Sequence, residues 1–422
     1  MGKIEELLRD VPLPRMVRVR QTFDDTRIEN VQAEVLTQLS RPAIVETIHP
    51  GMRICLTCSS RGIDNLALIL RTVAGFCRGR GAVPFIVPAM GSHGGATAEG
   101  QMRIANGYGV TEEYCGCPVI SCMDTVKIGT AENGIDVFID RHAAEADGII
   151  VVGRIKPHTA FEGPYESGLM KMMAIGLGKQ YGASVCHSRG FAHMAEMVPA
   201  FGRTILAHAG VLFGLAILEN AYDKTCKLRA LTREEIPAEE PGLLKEAKSL
   251  MPRILFDPVD VLVIDRIGKN ISGDGMDPNI TGRFGTPYKK GGIRTQRLVV
   301  LDLTDESHGN GMGLGQADIT TKRVYDKFDF EETYPNALTC RVFCGTFLPT
   351  VMPNDRLALQ AAVSTCVDAN ISRIRLVRLR DTLHLDEILV SEALAEGASG
   401  IPGVETLDGP EEMHFGGTGN LF

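Results

Sequence analysis

The chain has 422 residues, 44% apolar and 23% charged, with a formal net charge of −8. This is the composition of a folded globular protein with room for more than one core. The acidic balance argues against a nucleic-acid or anionic-membrane partner, since either would need clustered positive charge.

At the N-terminus, MGKIEELLRD lacks the apolar core of a secretory signal, so none is expected. The eleven cysteines are then expected to be reduced thiols in a cytoplasmic protein. Cys55 and Cys58 form a lone CxxC, and Cys115, Cys117 and Cys122 cluster without the paired knuckles of a structural zinc site. Residues 53–57 (RICLT) read as a strand, 66–76 as a helix, 84–88 (PFIVP) as a strand and 97–106 as a helix. Residues 148–152 (GIIVV) read as a fully buried strand, and this alternation implies βαβ units around a largely parallel sheet. The longest uncharged apolar stretch, residues 204–218, is too short at fifteen residues to span a bilayer and is expected in a core. Two alternating runs within 213–232 flank Tyr222-Asp223-Lys224 and predict an antiparallel hairpin. Residues 232–252 are charged, carry three prolines and read as a connector with one helical stretch at 242–250. Beyond it, 259–265 and 297–303 read as strands, 355–368 as a helix and 374–379 as a strand. The Gly-rich tail, 409–422, is expected to be loose. The predicted class is therefore α/β: two α/β domains with a cofactor and substrate cleft between them. The expected boundaries are an N-terminal domain over 1–235, a connector over 236–256 and a C-terminal α/β domain over 257–422.

Three loops follow predicted strand ends, where α/β sheets bind their ligands. Cys58-Ser59-Ser60-Arg61-Gly62 offers small hydroxyl groups, free backbone N–H groups and one Arg, which suit a phosphate, although a helix N-cap with a surface Arg fits the same residues. His93 sits between Gly91 and Gly94-Gly95, ahead of a helix capped by Thr97, and imidazole titrates near neutral pH. The third segment, 153–188, is read as a long irregular stretch holding His158, Lys171 and His187; Lys171 lies among methionines, where burial would favour its neutral, nucleophilic form.

Together these motifs resemble the nickel-pincer-nucleotide lactate racemase family over roughly the first 240 residues, by the order and spacing of the loops. The resemblance implies that Cys58, Ser59, Ser60 and Arg61 hold the nucleotide phosphate, that His93 and His158 are the two acid/bases, and that Lys171 tethers the cofactor covalently. It implies that His187, sixteen residues beyond Lys171, ligates nickel. It further implies a small 2-hydroxy acid substrate and dependence on cofactor-synthesis proteins. The chain departs from the family in its longer His158–Lys171 gap, which makes Lys179 a second tether candidate. The acidic residue expected at the head of the phosphate loop is Thr57 or Cys58 here. The family's substrate-holding Gln and Lys of the second domain are not found. Lys269 and Asn270, after the strand VDVLVID, are the residues suited to a substrate carboxylate or hydroxyl, although a Gly-Asp turn with a surface Lys has the same composition. The run Gly309–Gly315 lacks a dinucleotide fingerprint, and His308 or Asp318 beside it could add polar contacts in the cleft.

The chemistry implied is inversion at a carbon bearing H, OH and carboxylate. Direct removal of that weakly acidic hydrogen faces a high barrier. A hydride route avoids it, provided two bases serve the two enantiomers and a planar 2-keto acid lies between them. Two rivals remain open from the residues alone: a divalent-metal hydrolase built on His93, His158 and His187, and a non-catalytic nucleotide- or cofactor-binding protein.

Overall fold

Apolar runs that are buried on both faces make the centre of each sheet. In the computed structural model, which describes residues 2–422, the strands are β1 (Met16–Gln21), β2 (Arg53–Cys58), β3 (Val83–Pro88), β4 (Thr125–Thr130), β5 (Asp136–Asp140), β6 (Gly148–Arg154), β7 (Val211–Glu219) and β8 (Thr225–Thr232). They continue as β9 (Val259–Ile267), β10 (Thr295–Leu303), β11 (Ile319–Thr321), β12 (Thr350–Met352), β13 (Leu376–Leu379), β14 (Glu387–Ser391) and β15 (Val404–Thr406). The chain divides into two compact units. One is Asp24–Met251; the other joins the stretch before Asp24 to Pro252–Phe422.

The Asp24–Met251 unit is built on a five-stranded sheet in the order β3-β2-β6-β7-β8. Strands β3, β2, β6 and β7 are parallel, and β8 returns antiparallel to β7 as the predicted hairpin. All of β6 but its last residue is buried, the pattern of a parallel strand covered on both faces. The helix Leu66–Gly79 buries Leu66, Ile69, Leu70, Val73 and Cys77, a 3.6-residue stripe that faces one core. The helix Met194–His208 buries Met197, Val198, Phe201 and Ile205 in the core on the other sheet face. The apolar stretch 204–218 is thus the end of that helix followed by β7. Among the described residues no helix is long and apolar enough to cross a membrane.

The other unit carries an eight-stranded sheet in the order β12-β11-β10-β9-β13-β14-β1-β15. Its β12 to β13 half is parallel, and β14, β1 and β15 complete it antiparallel. Here the structure departs from the expected boundaries. Strand β1 pairs Val17 with Val390 and Val19 with Ile388, so the chain's first strand belongs with its last. The expected connector is also mostly a packed helix, Glu235–Leu250. Its Ile236, Leu243, Leu244 and Ala247 join the core beneath β6 and β7. Pro237 lies in the first turn, where no intrahelical N–H is required. The tail is docked rather than loose: Arg323 donates to Phe422 O (2.9 Å), Leu421 N–H donates to Asp355 (2.8 Å), and the Arg323 guanidinium stacks on the Phe422 ring. All eleven cysteines are free.

Candidate active site

Strands β2, β3 and β6 run parallel, so the loops that leave Cys58, Pro88 and Arg154 emerge at the same end of one sheet. The first two loops are tied together: Ala89 N–H donates to Cys58 O (2.8 Å), and the Ser60 hydroxyl hydrogen-bonds His93 Nδ1. Ser59 Oγ bonds Arg61 O (3.3 Å), and Tyr108 OH donates to Ser60 O (3.2 Å). Ser60 is half-buried and Arg61 exposed. Cys58 differs from its neighbours. Its side chain lies wholly in the core and burial pushes its thiol up to about 12, so the polar groups of this loop are Ser59, Ser60 and Arg61.

His93 is exposed at the tip of a turn held from beneath. Thr97 caps the following helix through Gly100 N–H, as its sequence signal predicts. Gln101 Nε2 donates to Gly91 O (2.8 Å) and His93 O (3.4 Å), and its Oε1 accepts from Lys179 Nζ (2.8 Å). Lys179 Nζ also donates to Pro88 O (2.6 Å) and lies 3.4 Å from Asp140 Oδ2. Lys179, Gln101 and Asp140 are fully buried. Burial pulls the Lys179 amine below its usual range, against the opposing pull of Asp140. These partners occupy all three ammonium donors, so Lys179 is a buried strut under the His93 turn and not an accessible tether.

The segment after β6 is irregular only as far as Gly168. From Leu169 it is helical: Leu169–Lys171, a π-turn Met172–Leu177, then Lys179–Cys186. The glycines that read as loop residues serve close packing instead: a Cβ on Gly176 would stand 2.6 Å from Ala89 O. Gly91 N–H donates to Gly176 O (3.1 Å), which ties the His93 turn to the π-turn that follows Lys171. Such π-turns recur at functional sites.

His158 is half-buried, and a fully buried carboxylate fixes its backbone: its N–H donates to Glu166 Oε2 (2.9 Å). Glu166 is paired with Lys248 (2.6 Å). Ala160 N–H donates to His158 Nδ1 (3.0 Å), so the neutral ring carries its proton on Nε2. The His158 ring packs 4.6 Å from Phe161 and 6.0 Å from Phe191, and the His187 ring lies 5.4 Å from the same Phe191. Lys171 is near enough to Cys186, the neighbour of His187, to favour its thiolate; burial outweighs this and pushes that thiol up to about 12. His158 and His187 therefore share the Phe191 ring, and the Gly91–Gly176 hydrogen bond ties the His93 turn to the π-turn that follows Lys171.

Sequence reasoning missed the supporting acids. Glu240 is fully buried beneath the Lys171 turn, where Oε2 accepts from Met170 N–H (3.1 Å), and burial lifts its carboxyl to about 8. A carboxyl raised in the fold binds its proton more tightly there than when unfolded. Its stabilisation is complete below the unfolded pKa near 4.5 and is lost as pH rises through about 8. Replacing Glu240 by Gln is thus expected to flatten a decline in stability between pH 5 and 8 of at most about 1.4 kcal/mol per pH unit. Urea unfolding of both proteins across that range checks it; parallel profiles would refute it.

Lys269 and Asn270 lie in the other unit, just after β9. Lys269 Nζ donates to Gly273 O (2.6 Å), and Asn270 Oδ1 accepts from Thr304 (2.7 Å). Asp318 forms an ion pair with Arg283 (2.8 Å). The run Gly309–Gly315 packs backbone against backbone, since a Cβ on Gly313 would overlap Asp274 O. Among the described residues no group of three or more His, Cys, Asp or Glu side chains is placed to hold a metal ion.

Residues 9–197 match the family model of the lactate racemase N-terminal domain. No curated protein matches the chain. Among solved structures, a Thermotoga maritima protein is similar at 14% identity and a TM-score of 0.47, over 64% of this chain and 70% of that one. The lactate racemase apoprotein from Thermoanaerobacterium thermosaccharolyticum is similar at 14% identity and a TM-score of 0.45, over 80% of this chain and 87% of that one.

Proposed function

We propose, from the premise that residues 9–197 are a lactate racemase N-terminal domain, that this protein is a cytoplasmic isomerase that racemises or epimerises a 2-hydroxy acid. The observation that carries the reading is the convergence of His158 and His187 on the Phe191 ring, beside the Lys171 turn and its link to the His93 turn. In this reading His93 and His158 exchange the hydroxyl proton of the two enantiomers. Ser59, Ser60 and Arg61 hold a phosphate, and Lys269 and Asn270 bind substrate. The domain implies the nickel-pincer nucleotide, and the donors fit it. A group that brings its own sulfur and carbon ligands needs one imidazole rather than a protein cage. His187 offers that imidazole, and half-buried Lys171 the amine for the covalent tether. When bound, this cofactor supplies the hydride-accepting ring. The chain's own residues orient the acid and hold or release its hydroxyl proton; imidazole suits that task because its pKa lies near working pH.

The test is to make the protein together with cofactor-synthesis proteins and weigh it intact. Wild type should carry a covalent adduct and nickel, and Lys171→Ala should lose the adduct. A chiral assay against a panel of 2-hydroxy acids then identifies the substrate. A protein that is active, unmodified and nickel-free would overturn the reading.

A further inference from the structure

The helix Glu235–Leu250 grips the stretch between His158 and Lys171 at three points. Lys248 pairs with Glu166 (2.6 Å), which holds the His158 N–H. Tyr165 OH donates to Pro237 O (2.7 Å). That carbonyl is open to the hydroxyl because Pro241, one turn further along the helix, has no N–H to offer it. Glu240 Oε2 accepts from Met170 N–H (3.1 Å), seventy residues earlier in the chain. The longer His158–Lys171 gap is therefore the part of the chain that this helix holds.

The third contact supplies something the local sequence lacks. The first N–H groups of a helical run have no partner within it, and the side chain of the preceding residue commonly takes one. Before Leu169–Lys171 that residue is Gly168, which has no side chain to offer. Its backbone, φ 103°, is one that glycine adopts readily. A Cβ there would stand 2.6 Å from Glu240 Oε1 and 2.9 Å from Ile155 Cγ1, so the glycine leaves the space through which the Glu240 carboxyl reaches the Met170 N–H. Leu169 and Met170 place their side chains wholly in the core, and half-buried Lys171 leaves the backbone directly after them. Glu240 Oε1 has no hydrogen-bond partner among the described residues. An amide keeps the accepting oxygen and loses no contact at the other position, so glutamine can stand in for the acid here.

We propose that Glu240 is a positioning residue for Lys171: through the Met170 N–H it caps, from a distant helix, the turn that presents the Lys171 amine. The proposal rests on the racemase reading for the role of that amine and on the geometry of the Asp24–Met251 unit for the cap.

Hydrogen exchange of the full chain, prepared without cofactor, tests the cap. Intact mass of the chain made together with cofactor-synthesis proteins tests its consequence. In Glu240→Leu the amides of residues 169–177 should exchange about tenfold faster, the scale of one lost buried hydrogen bond, while those of β6 keep their wild-type rate. The same variant should carry about tenfold less covalent adduct, in proportion to the loosened turn. Glu240→Gln should restore both. Tyr165→Phe loses a bond to the same helix but keeps the cap, so its adduct should equal that of wild type. If Glu240→Leu does not fold, Glu240→Asp takes its place with the same expectations, because it keeps the acid and withdraws its oxygens by one methylene. Residues 169–177 that exchange as in wild type or loosen only in step with β6, an undiminished adduct in Glu240→Leu, or a Glu240→Gln protein as defective as Glu240→Leu would each overturn the proposal. A wild-type chain without adduct would instead sink the racemase reading, and the exchange comparison would then decide the cap alone.

Discussion

Alanine in place of His93 or of His158 is expected to slow interconversion of the enantiomers by about 10²–10⁴-fold, the usual effect of losing a positioned acid/base. Nickel content and fold should be unchanged. Inversion at a carbinol carbon puts the hydroxyl on a different side in each enantiomer, so no single base serves both. The two imidazoles are also held differently. His93 stands exposed at a turn tip, with the Ser60 hydroxyl on Nδ1; His158 is half-buried, with Nδ1 accepting from Ala160 N–H and its proton on Nε2, so as held it is a donor, and it takes up a hydroxyl proton only once that Nε2 proton has left or the Ala160 contact is broken. A full cycle needs both bases, so each variant should lose the forward and the reverse rate together. In a single turnover, each should still consume one enantiomer and spare the other, with opposite preference. Chiral separation of the remaining acid reads this directly. Two variants that interconvert the enantiomers at the wild-type rate would remove the acid/base roles given to these imidazoles, and a protein that binds cofactor but never turns over would return the chain to the carrier reading.

The sheet centres were legible because β2, β3 and β6 are short, largely apolar, β-branched runs bounded by glycines, charges or prolines, which suits a parallel strand covered on both faces. Strand β1 was not. Its burial alternates after Val17 with exposed Arg18 and Arg20, and its partners β14 and β15 lie at the far end of the sequence, so no local pattern points to them. His93 and His158 stood out in the sequence by their glycines and strand ends, and His187 by its sixteen-residue spacing from Lys171. What holds them was not. Glu166, Glu240 and Gln101 look like ordinary surface residues in sequence, and only tertiary packing buries them. Gly176 and Gly178 misled for a related reason: a glycine needed for close backbone approach reads the same as a glycine needed for a turn. Lys179 shows both effects, since its flanking glycine suggested a loop and its amine a tether.

Lys179→Met is expected to destabilise the protein by about 3–5 kcal/mol, the range for removing one partner from a buried ion pair. The methionine keeps most of the volume but leaves three acceptors without their donor: Pro88 O, Gln101 Oε1 and the Asp140 carboxylate. Asp140 is fully buried and also caps the helix Arg141–Ala144 through Ala143 N–H, so it can neither reach water easily nor move away. Lys179 further adopts a left-handed backbone, φ 52°, which an L-residue holds only against strain. Without its amine contacts that conformation loses its support. Because Gln101 grips Gly91 O and His93 O on its other edge, the damage should pass to the His93 turn. Holoprotein that still folds should therefore lose kcat more than it raises KM, with nickel content unchanged. Adding Asp140→Asn should cost less than the sum of the two single changes, because the second removes a charge the first has stranded. Urea unfolding of the single and double variants measures the coupling. A Lys179→Met protein as stable as wild type would mean that the three contacts do not support the turn.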